Sequence, residues 1–334
     1  MRIILKTLTG VVFVFLLAGC GGGESTSSTS KADIVPIYTP PSGGINYVIS
    51  AGVADVINQG NSDKTSNQIS VEAMQGATDG VTRMIELYEQ DRPSIGAYAY
   101  EAIDKMYNGE SELLDGEYTE LRAIGYLSET ALHMVVAGNS SIQSMADLEG
   151  KRVGTAIPGD TMYYFIRDLL EDEYGLIENE DYQSIPLSYT EVQDGIKNGS
   201  IDAGLIMGMP PAPAVSELAQ TEDIRVLSIE PEKMESFLEG KPYYSSVEVE
   251  KGTYPGQEED VLIGSFSSLY FTHDKMKDEE IYAFLETIFE NQEHLQSVHS
   301  TFDIDEESVT KNIELPFHPG AIEFFEDQGI EWEE

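Results

Sequence analysis

An α/β fold built from two interleaved lobes is what this sequence predicts, and three observations carry the prediction. Short β-branched runs alternate with helical segments along most of the chain, and each strand runs through a polar or small-residue turn into a helix N-terminus. At 334 residues the chain is long enough for two domains with cores of their own. Yet no polar linker interrupts 34–334 and no tandem repeat divides it, so the lobes must share the chain in alternation.

Each element has its own signal. Ile34–Thr39 reads as a strand, and Pro40-Pro41-Ser42-Gly43-Gly44 as a turn opening a helix over Ile45–Asn58. Ile69–Met74 is a second strand, followed by Gln75–Gly80 and a helix ending near Gln90. Ser94–Tyr98 is a third, running into a helix over Tyr100–Tyr107. Leu121–Tyr126 and His133–Ala137 read as two apolar strands, and Met145–Gly150 as a helical turn before a strand at Arg152–Ile157. Pro158-Gly159-Asp160-Thr161 opens a helix over Met162–Tyr174, with Gly175 as its stop. Thr190–Lys197 is helical, Ile201–Met207 a strand, and Gly208-Met209-Pro210-Pro211 opens a helix to Leu218. A strand at Leu262–Phe271, a helix over Glu279–Leu295 and a last helix over Gly320–Gln328 complete the pattern.

Composition narrows the function classes. With 41% hydrophobic and 24% charged residues the chain is neither a disordered polymer nor a polytopic membrane protein. Lys and Arg number 19 against 60 Asp and Glu, a formal charge of −41, which excludes nucleic acid as a partner because phosphates need basic side chains to neutralise them. A dense carboxylate surface suits a salt-rich source, where screening relieves self-repulsion, or simply an acidic exported protein.

Cys20 is the only cysteine, so neither an intrachain disulfide nor a thiolate metal cluster can form. Arg2 and Lys6 form a basic n-region, and the apolar stretch Leu8–Leu17 is too short to span a bilayer core of ~30 Å. Leu17-Ala18-Gly19-Cys20 resembles a bacterial lipobox. Residues 1–19 then form a lipoprotein signal peptide, Cys20 carries the lipid, and 20–33, rich in Gly, Ser and Thr, is a flexible tether. The expected location is extracytoplasmic, lipid-anchored to the cell membrane.

A specific resemblance follows from an ordered series of motifs: Asp147-Leu148-Glu149-Gly150-Lys151-Arg152-Val153, Asp194-Gly195 with Gly199-Ser200-Ile201-Asp202-Ala203-Gly204, Gly208-Met209-Pro210, Thr253-Tyr254-Pro255-Gly256 and Leu315-Pro316-Phe317-His318-Pro319-Gly320-Ala321. With Ser42–Tyr47, Val71-Glu72-Ala73 and Leu121–Ile124, the series resembles the TAXI-type solute receptors of TRAP transporters over about 36–330. The resemblance implies a two-lobed periplasmic-binding-protein fold of type II kind, with a ligand cleft between the lobes. Residues 34–126 plus 250–334 would form lobe I, and 127–249 lobe II.

Ligands of open α/β sheets bind beyond the carboxyl ends of strands, where loops meet helix N-termini. The candidate loops are 40–47, 74–79, 96–100, 158–162 and 207–211. The first offers Ser42, Gly43, Asn46 and Tyr47, where small and polar residues let the backbone approach a solute. The second offers Met74 and Gln75 in place of the hydroxyl-bearing turn usual in the resembled family, and the third Tyr98 and Tyr100 in place of Gln and Asp. The fourth holds Gly159, Asp160, Thr161 and Met162, and the fifth Gly208, Met209 and Pro210. Asp160 either caps its helix or faces the cleft and favours a solute bearing a cation or hydroxyls. The tyrosines either stack on a solute or pack in the core. Arg122 is either a carboxylate clamp or the base of a structural ion pair. His318 is read as capping or packing the last helix.

The functional expectation is a monomeric, non-enzymatic receptor that binds a small organic solute, an amino acid or carboxylate, and delivers it to a TRAP-type permease membrane subunit. No cofactor and no metal are expected. A substrate-binding lipoprotein of an ABC importer or a sensor system is the alternative. Gly-x-Ser-x-Gly, His-Glu-x-x-His and P-loop motifs do not occur.

Overall fold

The computed structural model describes residues 34–60, 68–299 and 301–333; the leader 1–19, the tether 20–33 and Cys20 lie outside the described residues. Strand β1 (Ile34–Thr39) buries every residue after its first. Such a continuous apolar run is what a parallel strand covered on both faces requires. It lies between β2 (Gln68–Ala73) and β3 (Ile95–Ala99), parallel to both. Helix α1 (Ile45–Gly60) carries the chain outward to β2, and α2 (Ala77–Tyr88) brings it back past β1 to β3. Right-handed crossovers leaving in opposite directions put α1 and α2 on opposite faces, so the end of β1 is a switch point where a crevice opens.

After α3 (Tyr100–Tyr107) the chain enters β4 (Leu121–Ala137), and the design repeats. Strand β5 (Arg152–Thr155) is flanked by β6 (Gln183–Pro186) and β7 (Ala203–Met207), both parallel to it. Helix α4 (Thr161–Tyr174) leads outward from β5 and α5 (Tyr189–Asn198) returns to β7. The carboxyl end of β5 is therefore a second switch point. Then follow α6 (Pro213–Thr221), β8 (Ile224–Val226), α7 (Pro231–Leu238), β9 (Tyr244–Val249), β10 (Val261–His273), α8 (Asp278–Glu290), α9 (Gln292–Val298) and α10 (Pro319–Gln328).

Among the described residues ten strands form one mixed sheet, ordered β2-β1-β3-β10-β4-β7-β5-β6, with β8 added to β4 and β9 to β10. Strand β10 pairs antiparallel with β3 through Ser268–Phe271 and with β4 from Gly264↔Leu132 to His273↔Leu121. The register shifts twice, between Ser268 and Leu269 and between Tyr270 and Phe271. Beyond Leu132, β4 exchanges β10 for β7 and β8. These two long antiparallel strands thus join one half of the sheet to the other.

Several expectations are corrected. The strands expected at 121–126 and 133–137 are one, because Ser128, Glu129 and Thr130 interrupt the apolar run without interrupting the ladder. The helix expected over 279–295 breaks at Asn291, whose φ of −123° and ψ of 22° are not helical. The helix expected from Gly208 starts at Pro213. Strands β6, β8 and β9 and helix α7 are additional: each is short, and β9 alternates buried ends with a partly exposed middle.

Two apolar clusters cover opposite faces of the second half of β4. Leu132, Met134 and Val136 join the larger, and Ala131 and Val135 the smaller, as the two-residue period of a strand dictates. The larger includes an aromatic chain in which Phe165 of α4 meets Phe237 and Tyr244 at ring centroids of 5.1 and 5.0 Å. Full burial of one such ring contributes about 2–3 kcal/mol.

Candidate functional site

The turns that follow the parallel strands are held by local chemistry that the sequence encodes. Asp160 is the N-cap of α4: its Oδ1 accepts from the Met162 N–H at 2.9 Å, and burial pushes its carboxyl above the ordinary value. Gly175, with φ 66°, ends the same helix in the left-handed conformation. In the first turn the Thr39 carbonyl accepts from Met74 N–H at 2.8 Å, drawing the loops after β1 and β2 together.

Hydrogen bonds then anchor turns on β4 and join α3 to α4. Asn46, 5% exposed at the start of α1, accepts from Ser128 Oγ of β4 at 2.8 Å and donates from Nδ2 to the Ala97 carbonyl of β3 at 3.3 Å. Three residues farther along β4, the Ala131 carbonyl accepts from the Gly208 N–H at 3.0 Å. At a rise of about 3.3 Å per residue the two anchor points are ~10 Å apart. A third link joins α4 to α3: Thr161 donates to Glu101 Oε2 at 3.0 Å, and Lys105 Nζ lies 2.7 Å from Glu101 Oε1. Burial pushes the Glu101 carboxyl up, and Lys105 pulls it back. Leu113, in the loop after α3, comes within 3.1 Å of where a side chain at Gly159 would begin.

The sheet order defines a mixed α/β fold in which Asn46 at the start of α1 and Gly208 after β7 are both bonded to the middle of β4. The sequence profile of the NMT1-like family matches residues 37–329. The chain belongs to the NMT1-like family. Two solved structures share the fold of this NMT1-like chain. One is a TctC solute binding protein from Polaromonas, 14% identical, covering 81% of this chain and 89% of its own, with a TM-score of 0.52. The other is XAC2383 from Xanthomonas citri bound to ATP, 8% identical, covering 89% and 95%, with a TM-score of 0.55.

The predicted residues of the NMT1-like chain divide into those at the junction and those elsewhere. Asn46, Thr161 and Gly208 make the links themselves, and Gly159 and Asp160 precede Thr161. Tyr47 is half-buried beside Asn46, Ser42 and Gly43 are exposed on the first turn, and Met209 and Pro210 are half-buried after Gly208. Met74 packs half-buried against the larger cluster with Gln75 exposed next to it, while Met162 is in the core.

Three residues are engaged away from it. Tyr98 turns toward α2, where its hydroxyl lies 2.2 Å from the position a side chain at Gly80 would take, and its ring meets Phe271. Tyr100 is fully buried and its hydroxyl accepts from the N–H groups of Glu314 and Leu315 at 2.7 and 3.2 Å. Arg122 donates to the Thr119 and Leu121 carbonyls, both at 2.7 Å, and lies 4.0 Å from Asp274. His318 caps α10, its Nδ1 accepting from Gly320 N–H at 3.1 Å while Nε2 donates to the Met276 carbonyl at 3.0 Å.

Sequence reasoning missed a polar cluster beside these links. Glu129 Oε1 accepts from Ser265 Oγ at 2.7 Å and from Ser245, and the two serine hydroxyls are 2.7 Å apart. Four residues farther along β4, His133 Nε2 meets the Tyr254 hydroxyl at 2.8 Å, and that hydroxyl accepts from Ala212 N–H at 2.9 Å. Burial drives the His133 value down to about 4, so the ring is neutral. The signal available in the sequence was Ser128-Glu129-Thr130, polar residues inside an otherwise apolar strand. A hollow of about 520 Å³ lies elsewhere, bordered by Phe289, Phe324 and several carboxylates, and none of the five turns lines it.

Proposed function

We propose that this NMT1-like protein is an extracytoplasmic receptor of the TAXI type, which captures one small organic solute and hands it to a TRAP-type permease. The observation that carries the reading is the anchoring of turns from both halves on β4 by two hydrogen bonds three residues apart, Asn46–Ser128 and Gly208–Ala131. Residues 34–126 plus 250–334 act as one lobe and 127–249 as the other. A solute touching both stabilises the closed arrangement through the contacts it gains only there, since a ligand moves an equilibrium by differential affinity alone. Ser42, Gly43, Asn46 and Tyr47 contribute from one side, and Gly159, Asp160, Thr161, Gly208, Met209 and Pro210 from the other. The lipidated Cys20 keeps the receptor at the membrane, and the solute is an amino acid or carboxylate.

The test is a screen of amino acids, dicarboxylates and 2-oxo acids by thermal shift in high salt, followed by small-angle X-ray scattering of any hit. A ligand at 100 times its Kd raises stability by about 2.7 kcal/mol. A raised melting temperature together with a smaller radius of gyration supports the receptor. Failure of every class to shift the melt, or a shift without compaction, removes it.

A further inference from the structure

We propose that Tyr254 and His133 are positioning residues for the turn after β7, fixing the backbone that this turn offers to a solute without touching the solute themselves; this rests on the receptor reading of that turn. The turn is fastened at both ends. At its start the Gly208 N–H donates to the Ala131 carbonyl of β4 at 3.0 Å. At its end the N–H of Ala212, the N-cap of α6, donates to the Tyr254 hydroxyl at 2.9 Å. The two ends nearly touch: with φ 140° at Gly208, a side chain there would begin 3.1 Å from Cβ of Ala212. Movement of Ala212 is therefore movement of the turn. Pro210, Pro211 and Pro213 carry no N–H, so with Gly208 and Ala212 engaged the Met209 amide is the backbone donor that 208–213 has left for a guest. A single donor serves well only where its direction is held.

Tyr254 is mounted to do this. Its N–H donates to Gln257 Oε1 at 3.2 Å, Gln257 Nε2 donates to the Val249 carbonyl at 3.0 Å, and the Gly252 N–H donates to the Gln257 carbonyl at 3.2 Å, so the loop that carries it is tied to itself and to β9. The side chain is 2% exposed, its ring edge-on to His133 at a centroid distance of 5.5 Å. Because the hydroxyl accepts from Ala212, its own hydrogen goes to His133 Nε2, 2.8 Å away. The ring is then the neutral tautomer with its proton on Nδ1, on the side of the Ile206 backbone with which His133 is paired. The reverse tautomer would crowd two N–H donors and the phenolic hydrogen around one oxygen. Nδ1 makes no full hydrogen bond among the described residues, a cost that an apolar side chain in its place would avoid. What the imidazole contributes is the lone pair that turns the hydroxyl toward Ala212.

The experiment has two parts, both on the mature protein in high salt. Nitrogen NMR spectra of the histidine-labelled wild type read the tautomer and need no variant: a proton on Nδ1 of His133 is expected, and one on Nε2 overturns the relay. Titration calorimetry then compares the wild type with variants, using L-glutamate, succinate and 2-oxoglutarate first and the rest of the amino acids, dicarboxylates and 2-oxo acids after them. Tyr254→Phe keeps the ring and should bind whichever probe the wild type takes at least about 10-fold more weakly, with faster amide hydrogen exchange confined to the peptide 208–217. His133→Leu should follow it, whereas His133→Gln keeps an acceptor and should stay within about 3-fold of the wild type. A pair that only supports the fold would lower the melting temperature in all three and leave affinity alone. Unchanged affinity in a folded Tyr254→Phe, or equal losses in His133→Leu and His133→Gln, overturns the assignment and leaves the receptor reading standing. Silence of the wild type toward the whole panel overturns both.

Discussion

The hydroxyl of Thr161, at the start of α4, lies 3.0 Å from Oε2 of Glu101 in α3, a carboxylate only 1% exposed. A helix of one half of the sheet thereby satisfies a buried charge of the other. Thr161→Val keeps the shape and removes the donor. The expected cost is about 1–3 kcal/mol, because the carboxylate stays buried with one partner fewer. Urea denaturation reads it; a loss within experimental error of zero would mean that Glu101 gains a water in place of the hydroxyl.

Asn46 makes both of its bonds inside the protein, to Ser128 Oγ and the Ala97 carbonyl. Asn46→Ala orphans a buried hydroxyl and is expected to cost about 2–3 kcal/mol. Ser128→Ala removes only the smaller partner and costs less. A double-mutant cycle of the two should give a coupling energy of about 0.5–1.5 kcal/mol, and strict additivity would show that the bond contributes nothing.

Two buried groups give opposite slopes to stability in acid. Burial, then the charge of Glu314, raises the Asp104 carboxyl from 3.8 to about 6. The folded protein therefore holds this proton more tightly than the unfolded chain, and the group's contribution falls as pH rises from about 4 to 6. His133, lowered from 6.5 to about 4 by burial, does the reverse: its contribution is complete above 6.5 and is lost as pH falls toward 4. Asp104→Asn should make stability climb more steeply with pH across this window, and His133→Gln less steeply. Guanidinium melts at a series of pH values decide; curves parallel to the wild type would cancel both assignments.

Backbone packing sets a fourth contrast. A methyl at Gly264 would lie 1.9 Å from Cζ of Phe165, whereas nothing stands within 4 Å of one at Gly43. Gly264→Ala should cost about 1–3 kcal/mol by overpacking, and Gly43→Ala should leave the melting temperature almost unchanged. Equal effects at the two sites would show that β10 and α4 can separate without penalty.

What the sequence discloses follows the range of the interaction. Strands β1, β3 and β7 are legible because burial on both faces demands runs such as Ile34–Thr39. The cap of α4 is legible because Asp160, Thr161 and Gly175 act within one helix. His318 is legible for the same reason. The cluster of Glu129 with Ser245 and Ser265 joins residues 116 and 136 apart, and only the sheet register makes them neighbours. Tyr98 and Arg122 stand in the turns and strand where a binder would, but strand parity sends Tyr98 under α2, and a carbonyl pair takes Arg122. Short β6 and β9 owe their pairing to β5 and β10 rather than to their own composition.

The register shifts where β10 meets β4 carry a mechanical consequence. Extra residues on one strand bend it, interrupt the ladder locally and raise its twist. In the proposed cycle any rotation of one half of the sheet against the other must twist these two strands, because they join the halves. Stiffening that ribbon would slow the exchange of cargo while leaving the chemistry of capture as it is.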